Sequence, residues 1–180
     1  PIYSEGFIQR STDDYTYDAN GNLVRDPNKK INITYNYLNL PRLVEWYGDG
    51  VSKSIEWLYD AEGTKLQKLV KLGSDTVQIK DYFGGIEYSN DTIEAIYHIE
   101  GRAVPDGSNG WLYEYCLKDH LGNTRVTFAD TNNDSIPEIL QQNAYYPFGF
   151  ELEELSLNGR EPKKQYLYNG KELDTDFGLN

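Results

Sequence analysis

Tyr17-Asp18-Ala19-Asn20-Gly21-Asn22-Leu23 and Tyr59-Asp60-Ala61-Glu62-Gly63-Thr64-Lys65-Leu66 are two copies of one tyrosine-led turn, and their recurrence decides how the chain folds. A degenerate copy, Tyr37-Leu38-Asn39-Leu40-Pro41-Arg42-Leu43, stands between them, and Tyr82-Phe83-Gly84-Gly85-Ile86 follows. The leading tyrosines are spaced by 20, 22 and 23 residues. Asp119-His120-Leu121-Gly122-Asn123 repeats the Asp-x-x-Gly core further on. A period of this size marks units too small to bury a face alone, which must stack on their neighbours. Within each unit the Asp accepts backbone N–H bonds inside the turn and the Gly supplies a positive φ without steric cost. The tyrosine closes one strand and the Leu or Val after the Gly opens the next. Stacked hairpins set like tyrosines side by side, each cross-strand aromatic pair contributing about 0.2–1 kcal/mol. These residues are structural, and no chemistry is assigned to them.

Strand patterns fill the intervals. Ile31, Ile33, Tyr35 and Tyr37 alternate with Asn32, Thr34 and Asn36; Ile55, Trp57 and Tyr59 alternate with Ser54 and Glu56. Ile93, Ala95, Tyr97 and Ile99 alternate with Glu94 and His98, while Trp111, Tyr113, Tyr115 and Leu117 alternate with Glu114 and Cys116. Thr124, Val126 and Phe128 form a further short run. Period two with one buried face predicts strands, and the apolar member of each pair is expected inward. Turn clusters such as Gly48-Asp49-Gly50, Gly73-Ser74-Asp75 and Pro105-Asp106-Gly107-Ser108-Asn109-Gly110 separate the runs, which predicts a meander of antiparallel hairpins. Only Glu151–Asn158 admits a short helical turn, and 158–164 reads as an exposed loop.

The 180 residues suit one domain or an array of short units. Sixteen tyrosines within a 38% hydrophobic composition point to thin packing, because a tyrosine ring packs while its hydroxyl stays wet. Seventeen Lys and Arg against 29 Asp and Glu give a net charge of −12. That balance excludes nucleic acid and anionic membrane surfaces as partners, both of which need a basic footprint, and it accommodates divalent cations. The single cysteine, Cys116, can make no internal disulfide. It is either a half-buried strand residue or a thiol nucleophile beside His120. No apolar run spans a bilayer and no signal peptide is present, so no membrane insertion is expected. The chain begins at Pro1, lacks Met, and stops at Asp176-Phe177-Gly178-Leu179-Asn180 within what reads as a motif. A fragment of a longer protein is therefore expected.

The C-terminal half carries three ordered motifs. Tyr113-x-Tyr115-x-x-Lys118-Asp119-His120-Leu121-Gly122-Asn123-Thr124-Arg125-Val126 is followed by Tyr145-Tyr146-Pro147-Phe148-Gly149 and by Tyr166-Leu167-Tyr168-Asn169-Gly170-Lys171-Glu172-Leu173. Together they resemble the core of the rearrangement-hotspot (Rhs) or YD-repeat family, in its Bacteroidetes-like form. The resemblance divides the chain into YD-type hairpin repeats over 1–100 and a repeat-associated core over 101–180 that stops before its end, the two expected to form one continuous unit. It implies an all-β fold of antiparallel hairpins forming an open, curved or spiralling sheet, part of a hollow shell. It implies a non-enzymatic structural segment of an exported or cell-surface bacterial protein of the polymorphic-toxin kind. The partners it implies are the rest of the parent chain and a C-terminal effector that the shell encloses or presents. Family self-cleavage depends on acidic residues near an Asp-Pro end of the core, which this sequence does not reach. Unpaired sheet edges would invite self-association.

Candidate chemistry is sparse. Asp130-Thr131-Asn132-Asn133-Asp134-Ser135-Ile136-Pro137-Glu138 places oxygen-bearing side chains of Asp130, Asn132, Asp134 and Glu138 at positions 1, 3, 5 and 9, with the Ile136 carbonyl at 7. This spacing suits Ca²⁺, which takes six to eight hard oxygens. Ser135 stands where such loops prefer Gly, and Gln141 stands at position 12 in place of a bidentate Glu. The alternative is a polar hairpin tip whose side chains cap their own turn. Asp13-Asp14, Glu153-Glu154 and Asp174 with Asp176 are carboxylate pairs of the kind glycosidases use, or solvated faces. Trp46, Trp57 and Trp111 with the tyrosines either fill the concave face or form a sugar-stacking surface. A surface module binding glycan or protein, stabilised by Ca²⁺, is therefore the second functional class.

Overall fold

The structure, a computed structural model, describes residues 11–48, 50–152, 155–158 and 165–179. The fold is all-β. Fourteen strands are present among the described residues, each antiparallel to a chain neighbour wherever the register is defined. Single turns of 3₁₀ helix, at Tyr168–Gly170 and Asp176–Gly178, break the pattern in the C-terminal segment. Two compact units divide the chain near Phe83: the first takes the chain up to Phe83 together with Ser89–Asp91, and the second takes Gly84–Tyr88 and the chain from Thr92 onward.

The first unit contains β1 (Thr16–Tyr17), β2 (Leu23–Asp26), β3 (Ile31–Tyr35), β4 (Pro41–Trp46), β5 (Lys53–Tyr59), β6 (Lys65–Leu72) and β7 (Asp75–Phe83), neighbours in chain order. Its core is one row of β-branched residues across the sheet. Ile33 stands opposite Val44, Val44 opposite Ile55, and Ile55 opposite Val70. Val44, Ile55 and Val70 are 2%, 0% and 3% exposed. Burying each such side chain contributes roughly 1.5–3 kcal/mol. Trp57 is buried, as expected of an inward position on β5.

The turns follow one design. In the Asp18 turn, Oδ1 accepts the N–H groups of Asn20 at 2.9 Å and Asn22 at 2.8 Å, while Gly21 N–H donates to the Asp18 carbonyl at 3.1 Å. Asp60 and Asp119 repeat every one of these bonds. The degenerate copy does too, but in a register two residues earlier than its leading Tyr37 suggests. Asn36 is its turn-forming residue, accepting from Leu38 and Leu40, and Tyr35 is its lead tyrosine. One amide oxygen suffices because only Oδ1 takes the two backbone bonds, and Asn39, at φ 58°, tolerates the left-handed position that Gly21 fills elsewhere. The expected copy at Tyr82 differs in kind. Gly84 and Gly85, with φ of 56° and 86°, form the two-residue turn of a tight hairpin.

The lead tyrosines lock successive turns. Tyr35 donates its hydroxyl to the Leu23 carbonyl at 3.0 Å, and Tyr59 donates to the Pro41 carbonyl at 2.9 Å. In each case the acceptor is the residue just after the preceding turn. Tyr145 does the same to Thr124, the residue after the Asp119 turn, at 2.8 Å.

The second unit contains β8 (Ile86–Ser89, all but its last residue), β9 (Thr92–His98), β10 (Gly101–Pro105), β11 (Trp111–Lys118), β12 (Thr124–Ala129), β13 (Glu138–Gln142) and β14 (Leu157–Asn158). The strand at 157–158 replaces the end of the expected helical turn, and residues 153–154 and 159–164 lie outside the described residues. The expected facing of β11 is reversed. Trp111, Tyr113, Tyr115 and Leu117 are exposed, and Glu114 and Cys116 are buried. The reason lies on neighbouring strands. Glu114 stands opposite Arg102 and Cys116 opposite Thr127, so the polar side chains of this face satisfy one another. The C-terminal segment packs on the same unit: Leu167 is buried, its carbonyl accepts Thr124 N–H at 3.0 Å, and the Tyr166 carbonyl accepts the Thr124 hydroxyl at 3.0 Å.

Candidate functional site

The Asp130–Glu138 hairpin joins β12 to β13, and it draws the predicted residues together. Ligand-capable oxygens of Asp130, Asp134 and Glu138 all lie within 4.8 Å of one another. Asp130 accepts N–H bonds from Asp134 at 3.1 Å and Ser135 at 2.8 Å. Asp134 accepts from Ile136 N–H at 2.8 Å, so Ile136 contributes its amide to the turn. Glu138 Oε2 accepts from the Thr131 amide and hydroxyl at 2.8 and 2.9 Å, and these bonds hold its carboxyl below the usual range. Asn132 turns its Nδ2 toward Asp134 Oδ2 and Glu138 Oε1, each 3.1 Å away, and its Oδ1 caps Asp134 N–H at 3.0 Å. Asn133 and Ser135 adopt φ of 61° and 68°, which is how Ser135 occupies the position expected for glycine. The Asn132 amide thus stands between two carboxylates, where a positive group is favoured. Asp130, Asp134 and Glu138 offer hard oxygens that suit Ca²⁺.

A second cluster was not expected from sequence. Arg102 Nε and Glu114 Oε2 are 2.6 Å apart, with side chains 4% and 3% exposed. Beside them Tyr97 donates to Glu87 Oε2 at 3.4 Å, and Tyr166 donates to Glu87 Oε1 at 2.6 Å. The Tyr97 and Tyr166 rings meet edge to face at 5.0 Å. Burial, with Glu172 and Glu87 nearby, pushes the Tyr166 hydroxyl well above its ordinary value, so it acts as a fixed donor. Burial opposes the charge on Arg102 and Glu114 restores it, leaving the guanidinium firmly protonated. The network ties the C-terminal segment to β8, β9, β10 and β11. The signal for it was a Glu on the same alternating face as Cys116, which reads as solvent-facing unless its cross-strand partner is known.

The Asp119 turn is the most heavily bonded of its kind. Burial alone would raise this carboxyl, but bonds from Asn123 Nδ2 and Arg125 Nε, both 2.9 Å, and from backbone amides outweigh it and bring it down to about 2. Asn123 in turn accepts Asn169 N–H at 2.8 Å, which joins the first and third C-terminal motifs. The remaining candidates are dispersed. Cys116 is buried with Sγ 3.7 Å from Thr127 Oγ1, whereas His120 is exposed. His98 is exposed and its Nδ1 accepts Glu100 N–H at 3.3 Å. Asp13 pairs with Arg25 at 3.5 Å on the surface, and Glu153-Glu154 lie outside the described residues. Trp57 is buried and Trp111 is exposed, so the tryptophans do not share one role.

No protein-family profile matches the sequence, and no curated protein matches it either. Solved structures do. A Photorhabdus luminescens Tc holotoxin pore is similar over 88% of this chain, with a TM-score of 0.69 and 17% identity. A TcdB2–TccC3 complex containing Cdc42 matches with a TM-score of 0.67 and 18% identity, and TcdB2–TccC3 itself with 0.67 and 17%, both over 88% of the chain. The chain spans 8% of the length of each of these chains. At this identity the likeness establishes an Rhs-like β-sheet fold. Among the described residues, no helix is long and apolar enough to cross a membrane.

Proposed function

We propose that this chain is a non-enzymatic wall segment of an exported or surface-located bacterial Rhs/YD-repeat protein, in which hairpin repeats over 1–100 run into a repeat-associated core over 101–180. Its role is to enclose or present a C-terminal effector belonging to the same parent chain. The observation that carries this reading is the recurrence of one Asx turn, with a tyrosine hydroxyl tying later copies to the turn before. Such interlocking extends a sheet by repetition and commits its carboxylates to backbone amides. The fold likeness to parts of far longer toxin chains supports it. Limited proteolysis of the full-length parent tests it. A downstream segment should be cut much more slowly in the intact protein than when expressed alone. Equal rates would exclude an enclosing role.

The convergence of Asp130, Asp134 and Glu138 supports a second, compatible reading, in which Ca²⁺ stabilises the β12–β13 hairpin. Calcium at 100 times its Kd would then add about 2.7 kcal/mol of stability. Glu138→Ala would remove the increment, and a melting curve unmoved by calcium would refute it.

A further inference from the structure

Trp111, Tyr113 and Tyr115 occupy alternate positions of β11 and so share one face. They are 40%, 55% and 42% exposed. Their cross-strand partners on β10 are Pro105, Ala103 and Gly101, too small to cover the rings, and on the β12 side, among the described residues, only Tyr115 meets an aromatic partner, Phe128. The rings line a cleft of about 260 Å³. Asp106 joins the lining from the turn before β11, and Asp130 and Asn133 join it from the hairpin after β12. No lysine or arginine lines it among the described residues. Both carboxylates are held by their own turns. Asp106 Oδ1 accepts the N–H groups of Ser108 and Gly110 at 2.7 and 2.9 Å, and Asp130 accepts those of Asp134 and Ser135.

Tyr115 is stacked on Phe128 at 5.8 Å, so fixed negative charge beside the rings of Trp111 and Tyr113 selects the ligand. Anions are repelled by the carboxylates and by the negative ring faces. A hard metal ion gains oxygens from Asp130 but nothing from the rings. A neutral sugar could stack and donate hydroxyls to the carboxylates, yet it leaves their charge uncompensated. An alkylated ammonium uses both, because its charge meets the carboxylates and its methyl groups meet the rings. We infer that this cleft binds an organic cation of the quaternary-ammonium class. The inference goes beyond the proposed wall role and does not depend on it.

Choline chloride, titrated calorimetrically and by tryptophan fluorescence into the chain in chelator-containing buffer, tests it against sodium chloride of equal ionic strength. Saturable binding of choline is expected. Trp111→Ala should weaken it about 3- to 30-fold, the range of one cation–π contact. Asp106→Asn is the sharper variant. Asn36 builds the same turn with an amide, so the substitution keeps the fold while removing the charge, and binding should fall about 2- to 5-fold. A choline response no larger than that of sodium chloride would overturn the inference. So would unchanged affinity in a folded Asp106→Asn variant, or binding of maltotriose with none of choline.

Discussion

Removing Arg102 leaves the Glu114 carboxylate buried against β10 without its partner. The pair is 2.6 Å long, directly cross-strand, and almost wholly withdrawn from water. Breaking a buried pair from one side costs about 3–5 kcal/mol, because the remaining charge keeps its desolvation cost and loses the attraction. For a chain of 180 residues each kcal/mol moves Tm by roughly 2–4 °C, so Arg102→Met should lower Tm by about 6–20 °C. The double variant Arg102→Met with Glu114→Leu should recover most of that loss or exceed the parent, since an apolar pair of similar volume carries no desolvation cost. The Lys71–Glu56 pair is an internal control. It is 2.8 Å long but its side chains are 32% and 41% exposed, and its loss should cost only about 0.2–1 kcal/mol. Thermal melts and denaturant titrations of the four-member cycle give the coupling directly. An Arg102→Met variant no less stable than the Lys71→Met control would refute the argument, as would a double variant less stable than either single one.

Tyr145→Phe strands the Thr124 carbonyl and should cost about 1–3 kcal/mol in denaturant titration, whereas Tyr17→Phe, at a position 60% exposed, should change stability by less than about 0.5 kcal/mol. Gly101→Ala would drive a Cβ into the Glu114 carbonyl oxygen, so the β10–β11 ladder must part; a loss of about 1–3 kcal/mol or more is expected, and an unaltered melt would show that the strands do not approach this closely. Asp119 titrates at about 2 against 3.8 for an unperturbed aspartate. Its contribution is therefore present in full above about pH 4 and is lost as pH falls towards about 2. Asp18, Asp60 and Asp106 are lowered in the same sense, Asp18 chiefly by Asn22, Asp60 by Thr64 and Asp106 by Ser108. Urea midpoints should hold from neutral pH to about pH 4 and then fall, and Asp119→Asn should flatten that fall.

The hairpin order was legible in the sequence because turn chemistry is local. Asp18, Asp60 and Asp119 announce their own hydrogen bonds, since donor and acceptor lie within four residues. The same locality made the Asp130–Glu138 cluster readable. The register of the degenerate copy was not, because Tyr35 and Tyr37 are equally plausible leads until the Tyr35 hydroxyl is seen to reach Leu23. The facing of β11 was not legible either. Period two states that two faces differ, but which one is covered depends on Arg102 from β10 and Thr127 from β12, residues brought close only by the fold.

The division of labour among carboxylates carries the functional argument further. Asp18, Asp60, Asp106 and Asp119 each spend an oxygen on two amides of their own turn, and Glu114 and Glu87 are held by Arg102 and by tyrosines. A general acid or nucleophile needs a carboxyl whose protonation changes near working pH or whose lone pairs face substrate. Carboxyls lowered by their own backbone stay ionised and occupied, which keeps the turns formed. In the second unit Asp106 and Asp130 also line the cleft beside the exposed rings of β11. The proposed cation recognition rests on that cleft, while the Asx turns of the repeats hold the strands together.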